Sequence, residues 1–213
     1  MLANIYLHYV LDLWFEKRVK RQLQRKAFLI RYADDFVCGF ERESEARMFL
    51  HQLRERLEKF GLQLSEEKTR VMEFKRNNGG GSRFDFLGFE YFWSKHRDGR
   101  VLLRRRTSRK KLKSSLKRFA DWCKANRHEK LQDLFGKLNL KLRGYYNHYG
   151  VVGNFASLKE FYRQMIFSLR RWLNRRSQRR GMSWEKFNSL KERYGLMEPK
   201  IFHRREPTQL ALR

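Results

Sequence analysis

Arg31-Tyr32-Ala33-Asp34-Asp35-Phe36-Val37 decides how the rest of this chain is read. On one side lies the short apolar run Ala27-Phe28-Leu29-Ile30-Arg31-Tyr32, and on the other Phe36-Val37-Cys38-Gly39-Phe40. Only Ala33-Asp34-Asp35 separates them, a connection of hairpin length made of turn-forming residues, so the spacing predicts two antiparallel strands. Such a hairpin presents two adjacent carboxylates, Asp34 and Asp35, at the edge of a sheet. Like charges that close repel unless a cation or a donor compensates. Mg²⁺ takes oxygen ligands of this kind, and paired ions steady the attacking and leaving oxygens of a phosphoryl transfer. Asp is also simply a good turn residue. The pair alone therefore does not separate a metal site from an ordinary turn.

Upstream of the hairpin, Leu2, Ile5, Tyr6, Tyr9, Val10, Leu13 and Trp14 recur at helical spacing, with Asn4, His8 and Asp12 between them. This predicts an amphipathic helix from the first residues, with Asp12 on its polar face. Downstream, a helix is expected from about Ser44 to Phe60 with Phe49, Leu50, Leu53, Leu57 and Phe60 on one face, closed by Gly61 as its C-terminal glycine. A strand through Val71-Met72-Glu73-Phe74, the loop Asn77 to Ser82, the β-prone run Phe84 to Phe92 and an Asp98-Gly99 turn into Val101-Leu102-Leu103 follow. From Thr107 every signal is helical. One helix runs from about Ser108 to Lys124. The next carries Leu131, Leu134, Phe135, Leu138, Leu142, Tyr145, Tyr146 and Tyr149, and a third Phe161, Met165, Ile166, Leu169, Trp172 and Leu173. A short helix is expected from Trp184 to Tyr194, before a basic tail punctuated by Pro199 and Pro207. The fold class is α+β, with a mixed domain over residues 1–104 and a helical one over 105–213.

The chain has 213 residues, 41% of them hydrophobic and 15% aromatic, which is too much apolar material for a disordered segment. Its 50 Lys and Arg outnumber 23 Asp and Glu, for a net charge of +27. That excess is best relieved by a polyanion, nucleic acid before membrane phosphate. Cys38 and Cys123 have no Cys-x-x-Cys partner, which excludes a zinc ribbon and a disulfide scaffold and suits a reducing compartment. In the first segment positive charge follows the apolar residues, the reverse of a signal peptide. No run approaches the roughly 20 apolar residues that span a bilayer. A cytoplasmic or organellar location is expected, with no membrane partner and no secretion.

In its setting, Arg31-Tyr32-Ala33-Asp34-Asp35-Phe36-Val37 resembles the Tyr-x-Asp-Asp hairpin of reverse transcriptases. Gly61-Leu62-Gln63-Leu64-Ser65-Glu66-Glu67-Lys68-Thr69 is similar to the next palm motif of that family, and Phe86-Leu87-Gly88-Phe89 to its primer-grip hairpin. Leu2-Ala3-Asn4-Ile5-Tyr6-Leu7 resembles the helix that ends the preceding motif. Leu142 to Tyr149 and Arg171 to Arg176 resemble the thumb or maturase-specific domain of group II intron proteins. On these motifs, in this order, the chain is identified as a member of the group II intron reverse transcriptase/maturases, matching the end of the palm and the thumb.

The resemblance implies RNA-directed DNA synthesis and assistance to intron splicing, with Mg²⁺ held by Asp34 and Asp35. It places Lys68 near the triphosphate or leaving pyrophosphate, with a solvated basic residue as the alternative. Tyr32 is placed beside the primer terminus or nucleotide, with an ordinary strand aromatic as the alternative. Phe86, Leu87 and Gly88 are expected at the primer. The implied partners are group II intron RNA and an RNA template with its DNA primer. The family carries a further metal-binding Asp, and its fingers, upstream of the opening helix, so the isolated chain is not expected to polymerise. A separate chain supplying that half would complete an enzyme. The alternative is a non-catalytic RNA-binding maturase module or remnant.

The loop Gly79-Gly80-Gly81-Ser82 lacks the Gly-Lys-Ser/Thr ending and following helix of a phosphate-binding loop, so it reads as a hairpin connection. The candidate RNA-binding residues are Arg104, Arg105, Arg106, Arg109, Lys110, Lys111, Arg143, Arg170 and Arg171, crowded among aromatics. Arg170 and Arg171 fall off the apolar stripe of their helix. Contacts of this kind give affinity with a steep salt dependence and little sequence reading.

Overall fold

The computed structural model describes residues 2–76, 81–176 and 181–203. Most of the glycine-rich loop and Pro207 lie outside them. The described residues fall into two compact units. One comprises those of Met1–Leu87 and Phe92–Leu103, the other those of Gly88–Tyr91 and Arg104–Arg213. The fold is α+β.

The first unit opens with a helical run over residues 2–22. Helix α1 (Leu2–Leu7) passes through π-helical turns at His8–Asp12 and Phe15–Val19 into α2 (Lys20–Gln22). In those turns the Leu13 amide donates to the His8 carbonyl and the Lys20 amide to the Phe15 carbonyl, five residues back. Such turns hold more residues than the 3.6 of an α-helix, so the buried stripe rotates. Val10, Leu11, Phe15 and Val19 are buried, whereas the expected face residues Leu2, Ile5, Tyr6 and Tyr9 are exposed.

Strands β1 (Ala27–Tyr32) and β2 (Asp35–Phe40) form the expected hairpin, in register from Ala27 opposite Phe40 to Tyr32 opposite Asp35. Asp35 therefore belongs to β2, and the turn is Ala33-Asp34 alone, one residue shorter than expected. Helix α3 (Glu43–Glu58) buries Phe49, Leu53 and Leu57 against Val10, Leu11, Phe15 and Val19. Gly61, at φ 67°, ends it, with its amide bonded to the Glu58 carbonyl and the Leu62 amide to that of Leu57.

A second sheet has the order β3 (Phe84–Phe86), β4 (Phe89–Lys95), β5 (Val101–Thr107). Leu87 and Gly88, at φ 51° and 83°, make the two-residue turn from β3 to β4, and two positive φ values are what a type I′ hairpin demands. Val71–Phe74 is not a strand. It joins no ladder, and Phe74 instead sets its ring against Phe84 and Trp93, at 4.9 and 5.7 Å between centroids.

The second unit is built on helices α4 (Arg109–Asn126), α5 (Leu131–Tyr149), α6 (Phe155–Asn174) and α7 (Trp184–Arg193). The expected stripes face its core: Leu134, Phe135, Leu138, Leu142, Tyr146 and Tyr149 from α5, with Phe161, Met165, Ile166, Leu169 and Leu173 from α6. Ser108 and Ser183 cap α4 and α7 by accepting from the Lys111 and Lys186 amides. Asn154, fully buried, accepts from the Thr107 amide at 2.7 Å and donates to the Thr107 hydroxyl and the Tyr149 carbonyl, each at 2.8 Å.

Candidate catalytic hairpin and basic helical unit

The β1–β2 ladder brings three candidate residues together at one tip. Tyr32 is 67% exposed, and Asp34 and Asp35 are both exposed beside it. Ala33 precedes them at φ 55°, the left-handed conformation that the first central position of a two-residue hairpin turn requires. Neither carboxylate forms an ion pair or side-chain hydrogen bond with any described residue. Adjacent like charges repel, and a bound cation would relieve that repulsion. The donor set suits Mg²⁺, which is commonly held by one or two carboxylates and completes its octahedron with water and substrate phosphate. Among the described residues no third His, Cys, Asp or Glu joins them in a metal-binding group.

Beneath the tip lies an arrangement that sequence reasoning missed. Arg31 donates from Nε to Asp12 Oδ1 and from Nη2 to Asp12 Oδ2, both at 2.7 Å, and from Nη1 to the Ala33 carbonyl, also at 2.7 Å. Nη1 reaches Asn4 Oδ1 as well, at 3.3 Å. The Arg31 guanidinium holds the Asp12 carboxyl below its ordinary range, against an opposing effect of burial and with a lesser contribution from His8. Asp12 is thus engaged by the hairpin instead of lying on a free polar face. The signal available in the sequence was an Asp among apolar residues and an Arg in an apolar strand, two charges in need of each other.

Lys68 sits exposed in the turn Glu66–Lys68, its amide bonded to the Ser65 carbonyl, and makes no ion pair with Asp34 or Asp35. Phe86 ends β3, and Leu87 and Gly88 form the next turn, all half-buried. Gly88 has φ 83°, which disfavours any side chain there, and a Cβ would also sit 3.0 Å from the Tyr149 hydroxyl, a tight contact.

The basic candidates divide by what they already hold. Arg109, Lys110 and Lys111 are exposed in the first turn of α4, where the helix dipole makes a triple positive charge unfavourable without an anion. Arg143 and Arg171 are exposed on α5 and α6, while Arg104 is half-buried on β5. Arg105 lies 5.6 Å from the Phe89 ring, and Arg106 pairs with Glu90. Arg170 lies over Trp184 at 4.4 Å and donates to the Met182 carbonyl at 2.7 Å, so it ties α6 to the start of α7. Further basic groups cover aromatic faces in the same unit: Lys141 on Trp122, and Arg127 and Arg175 on Trp172. No helix among the described residues is long and apolar enough to cross a membrane.

Two family models match the chain. Residues 1–91 match the reverse transcriptase (RNA-dependent DNA polymerase) family, and residues 109–190 match the group II intron maturase-specific domain. No curated protein matches it.

Proposed function

Because the chain belongs to the group II intron reverse transcriptase/maturases, we propose that it serves RNA-directed DNA synthesis through its Asp34-Asp35 turn and binds intron RNA through its helical unit. The observation that carries this reading is a pair of adjacent carboxylates at a hairpin tip of fixed register, Asp34 in the turn and Asp35 beginning β2, with no ion-pair partner among the described residues. Mg²⁺ bound there supplies charge stabilisation at the attacking and leaving oxygens. The chain's own part is positioning. The ladder fixes the turn, Asp34 and Asp35 offer metal ligands, and Tyr32 stands at the same tip to pack against a primer terminus or nucleotide. Lys68 serves a triphosphate oxygen, and Phe86, Leu87 and Gly88 support the primer. These assignments rest on the family's motif order.

In the helical unit, Arg109, Lys110, Lys111, Arg143 and Arg171 supply exposed charge for RNA phosphates, and splicing assistance follows from holding the folded intron. Synthesis also needs the further metal-binding carboxylate of the family, which a separate chain or segment provides. The partners are then intron RNA and an RNA template with its DNA primer, in a cytoplasmic or organellar setting. A second reading, an RNA-binding maturase module without catalysis, is favoured by one observation. Among the described residues only two carboxylates meet at the turn.

Mg²⁺-dependent primer extension on an RNA template, run beside Asp34→Asn and with RNA binding measured on the same samples, separates the two. Extension lost in the variant supports the polymerase. RNA binding without extension in either protein supports the binding module.

A further inference from the structure

We infer that Arg31 is the positioning residue of the Asp34-Asp35 turn, with Asp12 as its anchor on the first helical run. The inference rests on the reading of that turn as a metal site.

Arg31 has 12% of its side chain exposed, and its planar fork is engaged on both edges. One edge is bidentate to Asp12, a geometry that lysine cannot reproduce. The other edge meets the Ala33 carbonyl. That carbonyl belongs to the peptide linking Ala33 to Asp34, the central peptide of the two-residue turn. Hairpin turns of types I′ and II′ differ chiefly in which way this peptide faces. Both types keep φ positive at the first central residue, as at Ala33 (φ 55°), and differ in the backbone of the second, Asp34. Holding the carbonyl therefore holds the peptide plane, and with it the direction in which the Asp34 side chain leaves the backbone.

The anchor is arranged for the purpose. Asp12 closes the first π-helical turn, and the changed register sets its carboxylate against Arg31. His8 Nδ1, at 3.2 Å, and Asn4 complete the polar ring around the pair. A guanidinium near a cation site is unfavourable by charge alone. Asp12 neutralises it, so the turn keeps a rigid donor without a net repulsive charge.

Charge and positioning predict opposite signs, which makes the inference testable without activity. The whole chain is titrated with Mn²⁺, and free Mn²⁺ is followed by its electron paramagnetic resonance signal. The proteins are wild type, Asp34→Asn, Arg31→Met and Arg31→Lys, with circular dichroism verifying the fold of each. Asp34→Asn is expected to lose the bound ion. Arg31→Met removes a positive charge, so electrostatics alone would tighten binding. Positioning instead predicts weaker binding, by about tenfold, as for residues that orient metal ligands. Arg31→Lys keeps the charge but not the fork, so it should also bind more weakly than wild type. It decides the matter if Arg31→Met does not fold, because charge alone predicts no change. Mn²⁺ binding in Arg31→Met as tight as wild type, or tighter, with loss in Asp34→Asn, overturns the inference and leaves the metal site standing. In the absence of a folded Arg31→Met, unchanged binding in Arg31→Lys does the same. Equal binding by wild type and Asp34→Asn overturns the metal reading and the inference with it.

Discussion

Tyr32 and Asp35 face each other as the last antiparallel pair of the β1–β2 hairpin, so the whole turn consists of Ala33 and Asp34. Asn is at least as good a turn residue as Asp, and Asp34→Asn removes one member of a repelling pair. The variant should therefore unfold at the same temperature as wild type or slightly above it, while losing metal-dependent synthesis. A thermal midpoint lowered by several degrees in calorimetry would show that Asp34 has a structural role instead.

The Asp12–Arg31 pair carries a pH dependence whose sign is fixed by its chemistry. The Arg31 guanidinium, with a smaller contribution from His8, holds the folded carboxyl below its ordinary value of 3.8. The unfolded chain therefore takes up a proton first as acid is added. The stabilisation is complete above about pH 4 and is lost as pH falls through the lower, folded value. Urea unfolding followed across this range should show Asp12→Asn with a flatter acid limb than wild type. Superimposable acid limbs would show that the pair adds nothing to stability.

In the second unit, Asn154→Ala should be among the most damaging substitutions. It strands the buried Thr107 amide and removes one donor to the Tyr149 carbonyl. The Tyr149 carbonyl keeps the Val151 amide as a donor, so one buried group is left without a partner, at a cost of about 1–3 kcal/mol. The check is the urea midpoint at unchanged m-value, since a change in m would mean that the unfolded ensemble, and not this network, had moved.

RNA affinity should fall steeply with salt. Replacing Arg109, Lys110 and Lys111 by Ala should flatten the plot of log K against log salt by about one for each phosphate no longer neutralised. Arg170→Ala should act differently. Its guanidinium is already spent on Trp184 and the Met182 carbonyl, so stability should drop with little change in slope. Fluorescence anisotropy at four salt concentrations distinguishes the two classes. Equal slopes for the triple variant and wild type would remove the α4 cluster from the binding surface.

The elements that could be read directly from the sequence are those with one regular period. Helices α5 and α6 repeat apolar residues every three or four positions, and Leu134, Leu138 and Leu142 are buried as that spacing requires. The Tyr-Ala-Asp-Asp hairpin was equally legible, because two β-prone runs with so short a connection have few ways to pair. The opening helix was not. Its π turns break the 3.6-residue period, so a regular wheel selects Leu2, Ile5 and Tyr9 where the core takes Leu11, Phe15 and Val19. The Arg31–Asp12 pair escaped for the same reason, since the period that misplaces the stripe also turns Asp12 outward. Val71–Phe74 looked like a strand because β-branched and aromatic residues favour one. Its Phe74 packs its ring against Phe84 and Trp93, and the segment joins no strand among the described residues.

The chain passes between its two units three times, after Leu87, Tyr91 and Leu103. Phe89, in the short excursion, belongs to the helical unit's core and meets Tyr149 at 5.4 Å between ring centroids. A helical module cut out at Arg104 would thus leave one of its own core residues behind. For inheritance this means that the maturase-like part cannot be exchanged between proteins by a single crossover at that point. Recombination that moves it intact must carry Gly88–Tyr91 along, so the start of β4 and the helices that follow it are expected to travel together.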